Sequence, residues 1–301
     1  MSRWQAWYKE YRGSLKPLEL EELPDLVFCR PPAFLLAKLL RSTRVTPDGV
    51  SLFAAVWSLV VAALYWQGDY RSALLGGAAY FFWNVLDCAD GQLARMKGGG
   101  SSIGYVVDEV VDQISTLALW VGLTHCLLVA RAGEHNWWVM GAAAALAMGI
   151  ECGVLEGKRH QWMARVYGSR KSLADDLSQL VALAEQWRKE RSHPAGRFVI
   201  RFYQVQRWLQ RIYLPGGVRA EPSYSAAENA RWARHHRKAL AMAVWLGPTM
   251  HMCVQLACTV AGRVDAYLWI VLFVGVPWML LVHAVTWYAK VQERRDRLQE
   301  N

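Results

Sequence analysis

Apolar positions along this chain gather into long blocks instead of alternating with polar ones. Runs free of Asp, Glu, Lys and Arg cover residues 50–68, 72–86, 113–130, 136–150, 239–262 and 266–289. A helix needs roughly 20 mostly apolar residues, about 17 to 25, to cross the hydrocarbon core of a bilayer. Four runs meet that requirement alone. The two shorter ones, ending at Leu86 and Ile150, reach it only by continuing through polar residues such as Asp87 or Glu151. The pattern predicts an all-α integral membrane protein with six transmembrane helices. A soluble bundle is the competing fold, but all-apolar helices of this length are foreign to globular domains. A mean hydropathy of only +0.08 reflects dilution by polar segments between the blocks.

Those segments carry further patterns. Residues 30–41 begin with Pro31 and Pro32, suited to a first helical turn, and then run apolar except for Lys38. Too short to span, this stretch predicts an amphipathic helix in the interface plane, leading through Thr46, Pro47 and Asp48 into the first span. Residues 97–102, Lys-Gly-Gly-Gly-Ser-Ser, form a tight turn that makes the second and third spans antiparallel neighbours. A helical insertion with two patterns, divided near residues 192–196, separates spans four and five. In the second pattern Phe198, Phe202, Val205, Leu209 and Ile212 recur at helical spacing, with Arg201, Arg207 and Arg211 elsewhere on the wheel. It reads equally as a membrane-surface element or a packed subdomain. The expected organisation is an N-terminal segment at 1–46, spans one to four at 47–162, a basic helical insertion at 163–235, and spans five and six with a tail at 236–301.

Charge then orients the spans. One side holds only Arg71, Arg131 and Arg263; the rest of the 34 Lys and Arg residues fall on the other. Short cytoplasmic flanks collect such residues, so both termini are expected in the cytoplasm. The net charge of +9 is thereby assigned to membrane-facing loops and their lipids, and no nucleic-acid partner is expected. Residues 1–16 lack an apolar core before a small-residue site and do not read as a signal peptide. Six cysteines without a CxxC pair read as buried free thiols.

The chemistry concentrates in residues 87–112. On one helix Asp87 and Asp90 are three apart, and Asp87, Gly91 and Arg95 are spaced by four; on the next, Gly104, Asp108 and Asp112 are also spaced by four. Such spacing puts each set on one helix face. Four carboxylates near a membrane resist desolvation and repel one another. Two divalent cations offset that charge, and all-oxygen ligands suit Mg²⁺, Mn²⁺ or Ca²⁺ better than zinc. Such a pair would grip a pyrophosphate, with Arg95 adding a bidentate phosphate contact and the glycines leaving room for a nucleotide. Solvated helix ends, a cation-transport site or an idle scaffold remain alternatives to an enzyme at this point.

The spacing Asp-x2-Asp-Gly-x2-Ala-Arg-x8-Gly-x3-Asp-x3-Asp, met at Asp87, Asp90, Gly91, Ala94, Arg95, Gly104, Asp108 and Asp112, resembles the signature of the CDP-alcohol phosphotransferase family. The resemblance extends to the plan of six spans behind an amphipathic helix. It implies that Asp87, Asp90 and Asp108 ligate two divalent metal ions, Mg²⁺ or Mn²⁺, that Asp112 lies close to them as general base, and that Gly91, Ala94, Arg95 and Gly104 bind the CDP group. It also implies a membrane-facing site in the cytoplasm, release of CMP, a role in phospholipid biosynthesis, and a homodimer. The donor is either CDP-diacylglycerol, giving its phosphatidyl group to a small polar alcohol, or a CDP-linked head group such as choline or ethanolamine, giving to diacylglycerol. Many members carry Pro-Asn-x-x-Thr before the first span; here Pro47-Asp48-Gly-Val-Ser51 adds a charge and keeps the hydroxyl.

Lesser candidates have plainer readings. Glu109 suits an interface contact, and Glu151 and Glu156 either face a polar cavity or solvate a helix end. His125 reads as structural, and Arg30, Lys158 and Arg159 read as anchors to anionic headgroups more than as an acceptor-phosphate site. Trp66, Trp137, Trp138 and Trp287 read as interfacial anchors.

Overall fold

The computed structural model describes residues 2–99, 102–168, 173–213 and 224–300, with the side chains at 102–105, 107, 108, 173–177, 179, 195, 206, 207, 209–213, 297, 299 and 300 outside the description. Among the described residues every regular element is helical. The chain divides into two compact units, one of Met1–Leu146 with Pro248–Leu272, the other of Ala147–Gly247 with Phe273–Asn301.

In the first unit α1 (Arg3–Gly13) starts with a capping box between Ser2 and Gln5. The predicted amphipathic helix forms as α2 (Arg30–Arg41), with both prolines in its first turn. It buries Ala33, Phe34 and Ala37 and leaves Leu35 and Leu39 exposed. Helix α1 docks on it through Trp7 and Tyr11, edge-on to Phe34, and through Glu10, which accepts from Lys38 and Arg41.

Helix α3 (Pro47–Trp66) is capped by Thr46, whose hydroxyl accepts the Gly49 N–H, with proline at the position that needs no donor. Asp69 caps α4 (Tyr70–Met96) by accepting from the N–H groups of Arg71 and Ser72. Gly98 and Gly99, at φ of 91° and 119°, turn the chain in a region that other residues rarely enter. Lys97 Nζ fastens this turn to the carbonyls of Thr43 and Val45 at 3.1 and 2.7 Å. Helix α5 (Ser102–Ala130) follows.

Helix α3 is the shared partner of α4 and α5. Its approach to α5 is close: a Cβ at Gly122 would lie 2.6 Å from the Ala62 carbonyl oxygen. The first third of α6 (Trp137–Val166), α10 (Pro248–Val260) and α11 (Val264–Ile270) complete the unit. Tyr65 on α3 joins α10 by hydrogen bonds with Thr259 and Gln255, all buried.

The second unit holds the rest of α6, then α7 (Leu173–Lys189), α8 (Pro194–Tyr213), α9 (Ala226–Ala243) and α12 (Val276–Glu300). Val154 and Leu155 of α6 pack with Ala243, Leu246 and Val282. Helices α7 and α8 pair with each other, matching the helical insertion expected from the sequence. Phe198, Phe202, Val205 and Trp208 of α8 are exposed, while Leu209 and Ile212 of the predicted stripe lie outside the described side chains.

Among the described residues five segments are long and apolar enough to cross a bilayer: Pro47–Trp66, Glu109–Ala130, Trp137–Val166, Ala226–Val260 and Val264–Asp296. The chain is a multi-pass membrane protein. Large apolar side chains such as Leu52, Phe53, Val56 and Leu59 on α3 point outward, as lipid-facing positions do. The remaining expected span, α4, has the length at 27 residues, but Asn84, Asp87, Asp90, Gln92 and Arg95 dilute its hydropathy below that of the five.

Three smaller expectations change. Arg30 is buried in an ion pair with Glu21 and so is not a headgroup anchor. Trp137 is buried, its Nε1 donating to the Arg131 carbonyl, whereas Trp66, Trp138 and Trp287 stay exposed. Glu151 is fully buried in α6, and Glu156 is half-exposed beside Arg159 and His160. His125 is structural as expected, stacked on Trp66 with Nδ1 2.8 Å from its carbonyl oxygen. All six cysteines are free thiols.

Candidate active site

The antiparallel run of α4 and α5 beside α3 determines which signature residues can meet. Tyr80 and Trp83 of α4, Ser115, Thr116 and Leu119 of α5, and Ser58 and Val61 of α3 line one small cavity. Asp87 lies one turn beyond Trp83, and Asp112 one turn before Ser115 and Thr116. Both therefore lie on the side of that cavity nearer the Gly98–Gly99 turn, each about 5.4 Å along its helix axis from it.

Asp90 is buried, whereas Asp87 and Asp112 are half-buried. Ser51, at the end of the Pro47–Ser51 stretch, donates its hydroxyl to Asp90 Oδ2 at 2.7 Å, and both side chains are buried. Arg95 folds back over Gly91: a Cβ built there would lie 3.5 and 3.6 Å from its two terminal nitrogens. Gly91 and Arg95 are thus together, as four-residue spacing requires, with Ala94 half-buried beside them. Gly104 and Asp108 fall within α5, but the side chain of Asp108 lies outside the described residues, as does the exposure of Gly104. Among the described residues no group of three His, Cys, Asp or Glu side chains is gathered tightly enough to form a metal site. The donors that are described, carboxylate and hydroxyl oxygens without a thiolate or imidazole, fit a hard divalent cation.

The sequence reading missed the polar layer beneath this face of α4. The turn after α1 is bound from α4: Gln92 Nε2 donates to Ser14 Oγ at 3.0 Å and Arg95 Nε to the Ser14 carbonyl at 2.5 Å. Arg30 gives Nε–H and Nη2–H to Glu21 Oε2 at 3.2 and 2.9 Å, with Asp25 Oδ2 3.7 Å from Nη2. Asp25 accepts from Thr249 Oγ1 at 2.8 Å and Cys88 Sγ at 3.5 Å, and Glu22 accepts the Met250 N–H at 3.0 Å, at the start of α10. Burial disfavours the Arg30 charge, but Cys88, Glu21, Asp25 and Asp87 outweigh it and move its pKa up. These partners lie far apart in sequence, and no local spacing announces them. The one available signal was the hydroxyl of Ser51 at a position where the family pattern has threonine.

The fold defines a class: a multi-pass helical membrane protein whose α4 and α5 carry the acidic signature residues. Residues 44–189, just under half of the chain, match the family model described as CDP-alcohol phosphatidyltransferase. Similar curated proteins include phosphatidylinositol phosphate synthases. That of Mycobacteroides abscessus is 33% identical over 88 residues, 29% of this chain and 39% of the relative. That of Corynebacterium glutamicum is 31% identical over 119 residues, 39% and 45% of the two chains. That of Cutibacterium acnes is 27% identical over 129 residues, 41% and 58%. The chain thus spans less than two thirds of the length of each of these relatives.

Proposed function

We propose that this chain transfers a phosphatidyl group from CDP-diacylglycerol to a small polar alcohol and releases CMP, as a step of phospholipid biosynthesis. The observation that carries the reading is the complete eight-residue signature, spread over α4 and α5 inside the family match. The names of the relatives favour the CDP-diacylglycerol donor over a CDP-linked head group, and they make an inositol phosphate the first acceptor to assay. In this reading α4 is a sixth span, the acidic site and both termini face the cytoplasm, and the protein works as a homodimer.

Asp87, Asp90, Asp108 and Asp112 would hold two divalent cations, Mg²⁺ or Mn²⁺, which supply positive charge at the pyrophosphate oxygens. Gly91, Ala94 and Gly104 give the nucleotide a close approach to the helix backbones, and Arg95, already folded over Gly91, contacts phosphate. Asp112 accepts the proton of the acceptor hydroxyl as its oxygen bonds to the phosphorus on the diacylglycerol side. The phosphorus–oxygen bond to CMP then breaks, and the electron pair leaves on CMP.

The test is CMP release by the purified protein with each donor and acceptor class in turn. CDP-diacylglycerol with an inositol phosphate is expected to turn over, and Asp112→Asn is expected to lower kcat by about 10²–10⁴-fold while CMP binding persists. Metal flux into sealed vesicles with no CMP formed from any CDP-alcohol would overturn the reading.

A further inference from the structure

Helix α8 has two faces of opposite character. Gly196, Ile200 and Tyr203 follow one another at spacings of four and three and so share a face. Ile200 and Tyr203 are each 1% exposed, and Gly196 meets α7 closely, since a Cβ there would fall 2.5 Å from the Trp187 ring. Phe198, Phe202, Val205 and Trp208 form the other stripe, and they are 66%, 37%, 53% and 60% exposed. At about 100° per residue the two stripes point in roughly opposite directions. Arg201 falls within the exposed stripe and is itself exposed, and Arg197 lies at its edge, half-buried. Over 20 residues α8 carries four arginines, Arg197, Arg201, Arg207 and Arg211, and neither Asp nor Glu.

A contiguous stripe of large apolar side chains marks a contact surface, and the arginines decide with what. A second copy paired face to face would bring the arginines of both together, with no carboxylate on the helix to offset them. A bilayer surface with anionic headgroups supplies both halves of the match. The aromatic side chains enter at the acyl boundary while arginine stems extend to the lipid phosphates. Such a surface is at hand, because α7 and α8 are joined at both ends to segments long and apolar enough to span. We propose that α8 is an interface helix that docks its Phe198, Phe202, Val205 and Trp208 stripe on bilayer carrying anionic lipid, with α7 packed on its other side. The insertion thereby binds according to lipid charge, through residues separate from the acidic signature on α4 and α5 and independently of the reaction proposed above. Each arginine near an anionic surface strengthens such docking about fivefold.

The purified protein carrying Val205→Cys, labelled with an environment-sensitive fluorophore, is placed in bilayer nanodiscs of phosphatidylcholine alone or mixed with phosphatidylglycerol. The unaltered protein, labelled in parallel, gives the background from the native cysteines. Blue-shifted emission, quenched by bromine-labelled acyl chains, is expected in the anionic discs, with several-fold less quenching in the zwitterionic ones. Adding Arg201→Gln should lower the ratio of docked to free helix about fivefold, while adding Arg201→Lys keeps it. Adding Phe198→Ser and Phe202→Ser together should abolish the quenching. These positions are exposed, so the melting temperature should hold in every variant. Water-like emission in both discs would overturn the proposal. Quenching indifferent to lipid charge, or equal losses in Arg201→Gln and Arg201→Lys, would remove the role of charge and refute it as well. Blue-shifted emission without quenching by lipid would show that protein, a second copy or another chain, covers the face, and would also refute it.

Discussion

Replacing Arg30 with methionine tests whether the buried polar layer beneath α4 holds the N-terminal segment in place. Methionine keeps an unbranched stem, so the change removes charge and donors with little loss of packing volume. The Arg30 side chain is 9% exposed and that of Glu21 0%. Without Arg30, the Glu21 carboxylate stays buried, facing the Lys16 N–H at 3.0 Å. Breaking a buried ion pair by removing one partner costs about 3–5 kcal/mol. At about 2–4 °C per kcal/mol for chains of a few hundred residues, the melting temperature in detergent should fall by roughly 10 °C near neutral pH.

The pH dependence gives the argument a second edge. Burial alone would raise the Glu21 pKa, but the Arg30 charge and the Lys16 N–H outweigh it and hold it below the ordinary value of 4.5. A carboxyl with a depressed folded-state pKa contributes stability that is complete above its unfolded value and is lost as pH falls through the folded value. In Arg30→Met only Lys16 is left to counter burial, and the Glu21 pKa moves up. The deficit relative to the unaltered protein is then largest at neutral pH and shrinks as pH falls and Glu21 takes up its proton. Thermal unfolding followed with a thiol-reactive fluorophore, which reports the exposure of buried cysteines, measures this across the pH range. A second substitution, Glu21→Gln, should restore part of the loss by removing the unpaired charge. A shift of under about 2 °C at neutral pH, less than 1 kcal/mol by the same conversion, would refute the reasoning. So would a deficit independent of pH, or a double variant no more stable than Arg30→Met.

Two further substitutions separate fold from site. A Cβ at Gly91 meets Arg95 only at ordinary van der Waals distance, 3.5 Å, so Gly91→Ala should keep its melting temperature yet lose CMP affinity, measured by calorimetric titration; unchanged affinity would refute close nucleotide approach at this helix. A Cβ at Gly122 would fall 2.6 Å from the Ala62 carbonyl oxygen, so Gly122→Ala should force α3 and α5 apart and destabilise the protein by about 1–3 kcal/mol. A melting temperature equal to that of the unaltered protein would refute that crossing.

Much of this protein was legible from local pattern. Apolar run length alone implies membrane helices, because a bilayer core accepts no unpaired backbone and has a known thickness. The α2 helix appears with the bounds that its prolines and apolar face predict, and the insertion is helical as its periodicity requires. Four-residue spacing brought Gly91 and Arg95 together, since one helix suffices to make them neighbours. Charge read as local chemistry was less dependable. Arg30 looked like a headgroup anchor because its partners, Glu21 and Asp25, declare themselves only once the chain before α2 folds against α4. Trp137 looked like an interfacial anchor, but its indole N–H finds the Arg131 carbonyl inside the protein.

The sequence by itself determined the class of the fold and the eight signature positions, because both are written in the spacing along single helices. Tertiary structure alone decided that α3 is the common neighbour of α4 and α5, that Gly122 faces the Ala62 backbone at close range, and that Ser51 reaches Asp90. Each of these joins residues far apart in the chain. Helical periodicity says which face a side chain occupies, but only the packing of one helix on another decides what that face meets.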